Sequence, residues 1–252
     1  MAEADLTSGA ETRARARIEA ALDERRRSFL RMVSHELRTP LNSILGFSEI
    51  LTAELYGPLG QPQYKEYAAI IHASGQKLLK LVNQVLEIAR LEGNTIEFDA
   101  APESLEAALD DVLLALQPDL AARGVEVAVC GRGELPAVTA DGRGLRSVLR
   151  ELIHNAVVFS PEGGEVTVSA QPHNGFVDIV IQDHGEGVDP DELARLMAPF
   201  EQGENALTRK AEGAGLGLPI ADLTCLAMGG RLKLTSAPGQ GLTATARLPA
   251  AR

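Results

Sequence analysis

The sequence predicts two domains of different class: an all-α helical hairpin that pairs with a second copy as a four-helix bundle, followed by an α+β sandwich. Three observations predict this. Up to about residue 91 the apolar residues recur at helical spacing with almost no strand pattern, a breaker segment "YGPLGQP" divides that stretch, and beyond about residue 101 strand-like and helix-like runs are mixed. The expected divisions are a linker with a coiled-coil helix over 1–28, the hairpin over 29–91, a second linker over 92–101 and the sandwich over 102–252.

The first run, "RARARIEAALDERRR", offers only Ile18 and Leu22 as apolar anchors, which suits a thin two-stranded coiled coil, a solvated helix being the alternative. Leu30, Val33, Leu37, Ile44, Phe47 and Leu51 then follow in alternating steps of three and four, with Pro40 filling the gap in the series. Tyr67, Ile71, Ser74, Leu78, Leu81, Val85 and Ile88 repeat the pattern after the breaker. A lone hairpin would leave this seam open on one side, so a homodimer is predicted. After "LEGNTIEFDAAPESL" the spacing predicts a helix over Glu103–Arg123, a strand "VEVAV", a helix over Gly144–Val158, and strands "EVTVSA" and "FVDIVIQD". A glycine-rich stretch and a helix near Leu216 precede the closing strands "GRLKLTSA" and "LTATARLP". Without regular βαβ alternation, helices gathered on one face of the sheet are expected.

A net charge of −11 and a pI near 5.0 exclude an extended surface for nucleic acid, whose backbone is bound through neutralisation by Lys and Arg. Cys130 and Cys225 lie far apart without metal-ligand spacing and read as reduced core thiols. No apolar run approaches the ~20 residues of a membrane span, and the first residues have no signal-peptide core. The chain is expected to be cytoplasmic, a fragment of a longer protein whose membrane attachment stays open.

"FLRMVSHELRTPLNSILGFSEIL" holds the first candidate site. His35 lies two residues from both Val33 and Leu37, about 200° from each around a helix, so it points away from the seam. Thr39 shares its face one turn on, Glu36 adjoins it, and Pro40 should bend the helix beside it. A solvated histidine is one reading, and it or a local structural role is the one given to His72, His154, His173 and His184. An H-E-x-x-H zinc site fails because Thr39 stands where the second histidine would be. The remaining reading is a phosphoryl acceptor, with a neighbouring carboxylate orienting the ring and taking its proton. "VSHELRTPLNSILGF" resembles the phospho-acceptor box of two-component sensor histidine kinases.

In the second domain, Asp141 reads as an N-cap and Leu145, Val148, Leu149 and Leu152 as the buried stripe of its helix. Ser147, Glu151 and Asn155 stack on an adjoining polar face that can hold a hydrated Mg2+ through one or two oxygens. The resemblance makes this the N box, with Asn155 as the metal-binding asparagine and Glu151 beside it. "DHGEGV" resembles the G1 box, which implies that Asp183 accepts the adenine amino group while Gly185 and Gly187 allow close packing. Phe200 matches the F box, and Gly213, Gly215 and Gly217 with Leu218 match the G2 box "GAGLGL". The polar run between them resembles an ATP lid, with Arg209 and Lys210 as candidate γ-phosphate contacts or plain loop charges.

The five boxes in order span about Phe29 to Pro249, and imply the ATP-binding sandwich shared with Hsp90, gyrase and MutL. They imply ATP and Mg2+ as ligands, a phosphotransfer role for residues 29–91, and the receiver domain of a response regulator as partner. "GFSEILTAELYGPLGQPQYKEYAAIIHASGQKLLKLVNQVLEIARLE" resembles the alphaproteobacterial kinases of cell fate and division. Two positions depart from the N box: Glu151 replaces a common asparagine, and Val158 replaces a basic phosphate contact. Slow autophosphorylation or weak ATP affinity is therefore expected. A nucleotide-sensing scaffold or phosphatase and, with Glu151 activating water, a plain ATP hydrolase are the alternatives. Thr39 matches the position that helps place water for regulator dephosphorylation, so both activities are expected.

Overall fold

The structure, a computed structural model, describes Leu30 and residues 37–93, 96–201 and 214–251, and divides the chain into two compact units, Met1–Ile96 and Glu97–Arg252. The coiled coil proposed for 1–28, and the bend expected beside His35, lie outside the described residues.

In the first unit, helix α1 covers 37–52 and helix α2 covers Pro62–Glu92, which begins on a proline where the missing N–H costs nothing. Arg38 donates to Asn83 Oδ1 through Nε at 3.0 Å and Nη2 at 2.8 Å, while Lys65 Nζ lies 3.2 Å from Glu54 Oε2. The early end of α1 thus meets the late end of α2, and the pair is antiparallel. Small residues let the helices approach: Ala68 and Gly75 are buried, and a Cβ at Gly75 would stand 3.1 Å from Leu45 Cδ2. His72 takes the local structural role, its Nδ1 3.2 Å from Ser48 Oγ and 3.3 Å from the Leu45 carbonyl. Leu41, Leu86 and Leu91 complete the interior. Leu37, Ile44, Phe47 and Leu51 of α1, with Tyr67, Ile71, Leu78 and Val85 of α2, are exposed in the single chain, Phe47 by 69 %. They belong to the predicted seam, although Leu30 and Ile88 of that seam are buried within the single chain; an apolar row of this extent is the mark of an association surface.

In the second unit, β1 (Ala101–Glu103) pairs antiparallel with β3 (Val138–Ala140), and a five-stranded sheet has the order β2-β4-β5-β7-β6. Its strands are β2 (Glu126–Val129), β4 (Glu165–His173), β5 (Phe176–Gln182), β6 (Arg231–Ser236) and β7 (Leu242–Pro249). All its pairings are antiparallel except β2 with β4. Alternate residues of the central strands face one core: Val166 and Val168, Val177, Ile179 and Ile181, then Ala244, Ala246 and Leu248. Helices α3 (Leu105–Arg123), α4 (Gly142–Phe159) and α6 (Gly217–Ala227) contribute to that same core; a short 3-10 turn (Pro190–Glu192) runs into α5 (Leu193–Leu196). The α+β class and the one-sided helical layer are as the sequence predicts.

Two readings are corrected. The helix expected from Glu103 begins at Leu105, because Ser104 caps it by accepting from Ala107 N at 3.2 Å and Glu103 belongs to β1. Cys225 is a core thiol, pushed up to about 12 by burial, but Cys130 is exposed in the turn that follows β2.

Candidate functional site

Helix α4 carries one wall of the site. Asp141 caps it, its Oδ1 accepting from Arg143 N and Gly144 N at 2.9 Å each. Leu145, Val148, Leu149 and Leu152 are buried as the stripe requires. That rotation leaves Ser147 and Asn155 half-buried, and Glu151 is buried between the two. The carboxylate of Glu151 accepts at Oε1 from Arg150 Nε at 3.3 Å and Nη2 at 3.1 Å. Its Oε2 faces the start of α6, where a Cβ on Gly217 would come within 3.0 Å. Helix α6 begins without a side-chain cap, so the N–H groups of Gly217 and Leu218 have no capping side chain, Pro219 having no N–H to offer. Glu151 and the N-terminal end of α6 are therefore neighbours.

Asp183 is placed by the end of β5, only 2 % exposed. Its Oδ1 accepts from Gly185 N at 2.9 Å and Leu242 N at 3.1 Å, whereas Oδ2 is buried with no hydrogen-bond partner. Burial raises its pKa above the ordinary carboxylate value, against the lowering by those two amides. A buried acceptor without a partner can be satisfied by a donor such as an amino group on a flat heterocycle. Close backbone packing beside it requires glycine: Gly187 has φ +66° and a Cβ there would meet the Ala237 carbonyl at 2.1 Å. Gly185 packs against the Phe159 carbonyl in the same way.

One contributor escaped the sequence reading. Gly241, at φ +70°, lies so close to Asp183 that a Cβ would be 2.1 Å from its carbonyl oxygen, and the next amide, Leu242 N, is an Asp183 donor. Ser236 Oγ donates to the Gly241 carbonyl at 2.6 Å and accepts from Val188 N at 2.9 Å, which ties this turn to the one after Asp183. The signal was the string "GQG" at the head of the last strand.

Phe200 sits at φ +67° with its ring 61 % exposed, and its N–H donates to the Gly215 carbonyl at 3.3 Å, so the F and G2 boxes meet across the base of the segment between them. Leu218 turns its side chain into the core, which leaves its backbone to the site. Glu151, Asn155, Asp183, Gly185, Gly187, Gly215 and Gly217 thus line one domain. Arg209, Lys210 and Gly213 lie outside the described residues, as do His35 and Glu36; Thr39 is exposed on α1, its carbonyl accepting from Ser43 Oγ at 3.2 Å.

Among the described residues there is no cluster of three or more His, Cys, Asp or Glu able to cage a metal ion. A site of this kind fits a cation that takes one or two oxygens from Glu151 and Asn155 and the rest from phosphate and water. It does not fit a dedicated protein cage.

Comparison with known proteins bears on both units. Residues 25–94 match the His Kinase A (phospho-acceptor) domain, and residues 140–252 match the histidine kinase-, DNA gyrase B- and HSP90-like ATPase family. The chain is 43 % identical over 244 residues to histidine protein kinase DivJ of Caulobacter vibrioides, covering 93 % of this chain and 39 % of that protein. It is 34 % identical over 250 residues to the cell-division control histidine kinase PdhS of Brucella suis, covering 96 % of this chain and 24 % of that one. The chain therefore spans well under half the length of these relatives. Full-length ShkA, solved in complex with AMPPNP, superposes with a TM-score of 0.74 at 36 % identity, covering 88 % of this chain and 45 % of that one.

Proposed function

We propose, from the premise that this chain belongs to the sensor histidine kinase family, that it transfers the γ-phosphoryl group of Mg·ATP to His35 and then to an aspartate of a response-regulator receiver domain. The observation that carries this reading is Asp183: a buried carboxylate with one oxygen committed to two backbone amides and the other unpartnered, in a chain that also holds the H-E-x-x-T box.

In this mechanism Asp183 Oδ2 accepts from the adenine amino group, and the backbone beside Gly185 and Gly187 lies along the base. Glu151 and Asn155 would hold Mg2+, which would supply charge neutralisation to the phosphates. The amides opening α6 hold phosphate, and Arg209 and Lys210 contact the γ-phosphate. A neutral ring nitrogen of His35 attacks the γ-phosphorus in line; the N–P bond forms as the bond to the bridging oxygen breaks and ADP leaves with that electron pair. Glu36 takes the proton from the other ring nitrogen, which leaves a neutral phosphoimidazole. The exposed apolar rows of α1 and α2 pair with a second copy, and the bundle surface beside His35 receives the regulator. No helix among the described residues is long and apolar enough to cross a membrane.

Incubation with γ-labelled Mg·ATP tests the reading. Acid-labile, base-stable label on the protein supports it, and release of phosphate without label would replace it by ATP hydrolysis at Glu151. Val158 is half-buried on α4 where the family pattern has a cation, so Val158→Lys is expected to raise the labelling rate by about one to two decades. A wild-type rate that lysine does not improve would show that position 158 is not limiting.

The same reading assigns Thr39 to the opposing hydrolytic reaction, placing water against the phosphoryl group on the regulator aspartate, which leaves as inorganic phosphate. Thr39→Ala should slow release of phosphate from that regulator several-fold more than it slows labelling of His35, as seen by following both reactions on one preparation. Equal losses would remove Thr39 from the water-placing role.

A further inference from the structure

Glu151 carries a charge that the reaction scheme offsets only when Mg2+ arrives with the nucleotide. Its carboxylate is 11 % exposed and faces the phosphate-binding end of α6, so it brings negative charge to the place where a triphosphate must sit. Val158 offers no cation on the same helix to offset it. The one charged partner recorded for this carboxylate among the described residues is Arg150, itself 51 % exposed.

The pairing is not the automatic result of sequence proximity. Neighbours on a helix point about 100° apart and do not face each other, so the Arg150 side chain has to wrap around α4 to reach Glu151. It does so with two nitrogens on one oxygen, Nε at 3.3 Å and Nη2 at 3.1 Å. Oε1 is thereby committed to the guanidinium, and Oε2 is the oxygen turned to Gly217. A guanidinium keeps its charge at any physiological pH, and the Arg150 side chain is half exposed.

We propose that Arg150 is a positioning residue of the nucleotide site, acting through Glu151: it offsets the carboxylate's charge while no metal is bound and keeps Oε2 turned to the start of α6, where Mg2+ and phosphate would sit. The inference rests on the ATP-binding reading and adds to it an Arg–Glu couple on consecutive residues in place of a neutral side chain at 151. Its effect must grow with the number of phosphates on the ligand, because the adenine end is held by Asp183 on a different element.

The test is competition of ADP and ATP, with Mg2+ present, against a fluorescent ATP analogue bound to the whole chain. Arg150→Ala is expected to weaken ATP about tenfold and ADP about threefold, with Arg150→Lys recovering most of the loss because charge is retained. In a Glu151→Asn background the loss from Arg150→Ala should shrink to about twofold, since no carboxylate is left to offset. Raising salt should reduce the difference between wild type and Arg150→Ala. Unchanged ATP affinity in Arg150→Ala, or the same fold-loss in both backgrounds, would overturn the inference while leaving nucleotide binding intact. Equal losses for ADP and ATP would show a merely structural role and overturn it too. A wild-type chain that binds neither nucleotide would instead overturn the ATP-binding reading on which the inference stands.

Discussion

Asp183→Asn should weaken adenine nucleotide binding by about 2–3 kcal/mol, roughly 30- to 150-fold, while leaving the domain folded. The asparagine carbonyl can still accept from Gly185 N and Leu242 N, so the bonds that shape the turn survive. What changes is the buried Oδ2, an acceptor that becomes an NH2 donor and meets the adenine amino group donor to donor. Calorimetric titration with ATP gives the loss, and thermal unfolding without nucleotide shows whether the fold has been spared. Acid should produce the same effect in the wild type. Burial raises the Asp183 pKa, so as pH falls through that raised value Oδ2 gains a proton and stops accepting. ATP affinity should therefore start to fall above the ordinary carboxylate range, and the Asn variant should lack this acid limb. An unaltered affinity in Asp183→Asn would take the adenine away from this carboxylate.

The second large effect is at His35. His35→Ala should reduce acid-labile label from γ-labelled ATP to background while ATP affinity stays within about twofold of wild type, because the nucleotide site lies wholly in the other domain. Background release of phosphate should not rise. Label that persists in His35→Ala would move the acceptor to another histidine, with His72 the least able to serve because its Nδ1 is engaged by Ser48 and Leu45.

The longer elements were legible because burial imposed a period on them. Strand β5 alternates residue by residue between core and surface, and α4 shows its apolar stripe at steps of three and four. Strands β1 and β3 went unread: at three residues each, "APE" and "VTA" are too short for alternation to register, and one contains a proline. The exposure of Cys130 had the same origin, since its place in core or turn hung on where β2 ended.

Within the site, an acid at a strand end followed by spaced glycines gave Asp183 away. The commitment of Oδ1 to two amides did not show, because one of them, Leu242 N, arrives from β7, 59 positions along the chain. Gly241 was hidden for that reason also. Arg150 was hidden by a rule of helix geometry that is sound on average, that consecutive side chains diverge.

The place of β7 in the sheet has a further consequence. It is the last strand in chain order, yet it lies between β5 and β6, and the residues after it return to β3: Ala251 N donates to the Ala137 carbonyl at 3.1 Å. The free edge of β5 thus waits through the synthesis of α6 and β6 for its partner strand, and most of the pairings that β7 completes are distant in sequence. Such a domain folds late on the ribosome and slowly by the standards of helical bundles, with a sticky half-sheet in the interval. The hairpin ahead of it is made of local contacts and can form while the sheet is still being translated, so the association surface emerges before the nucleotide site exists.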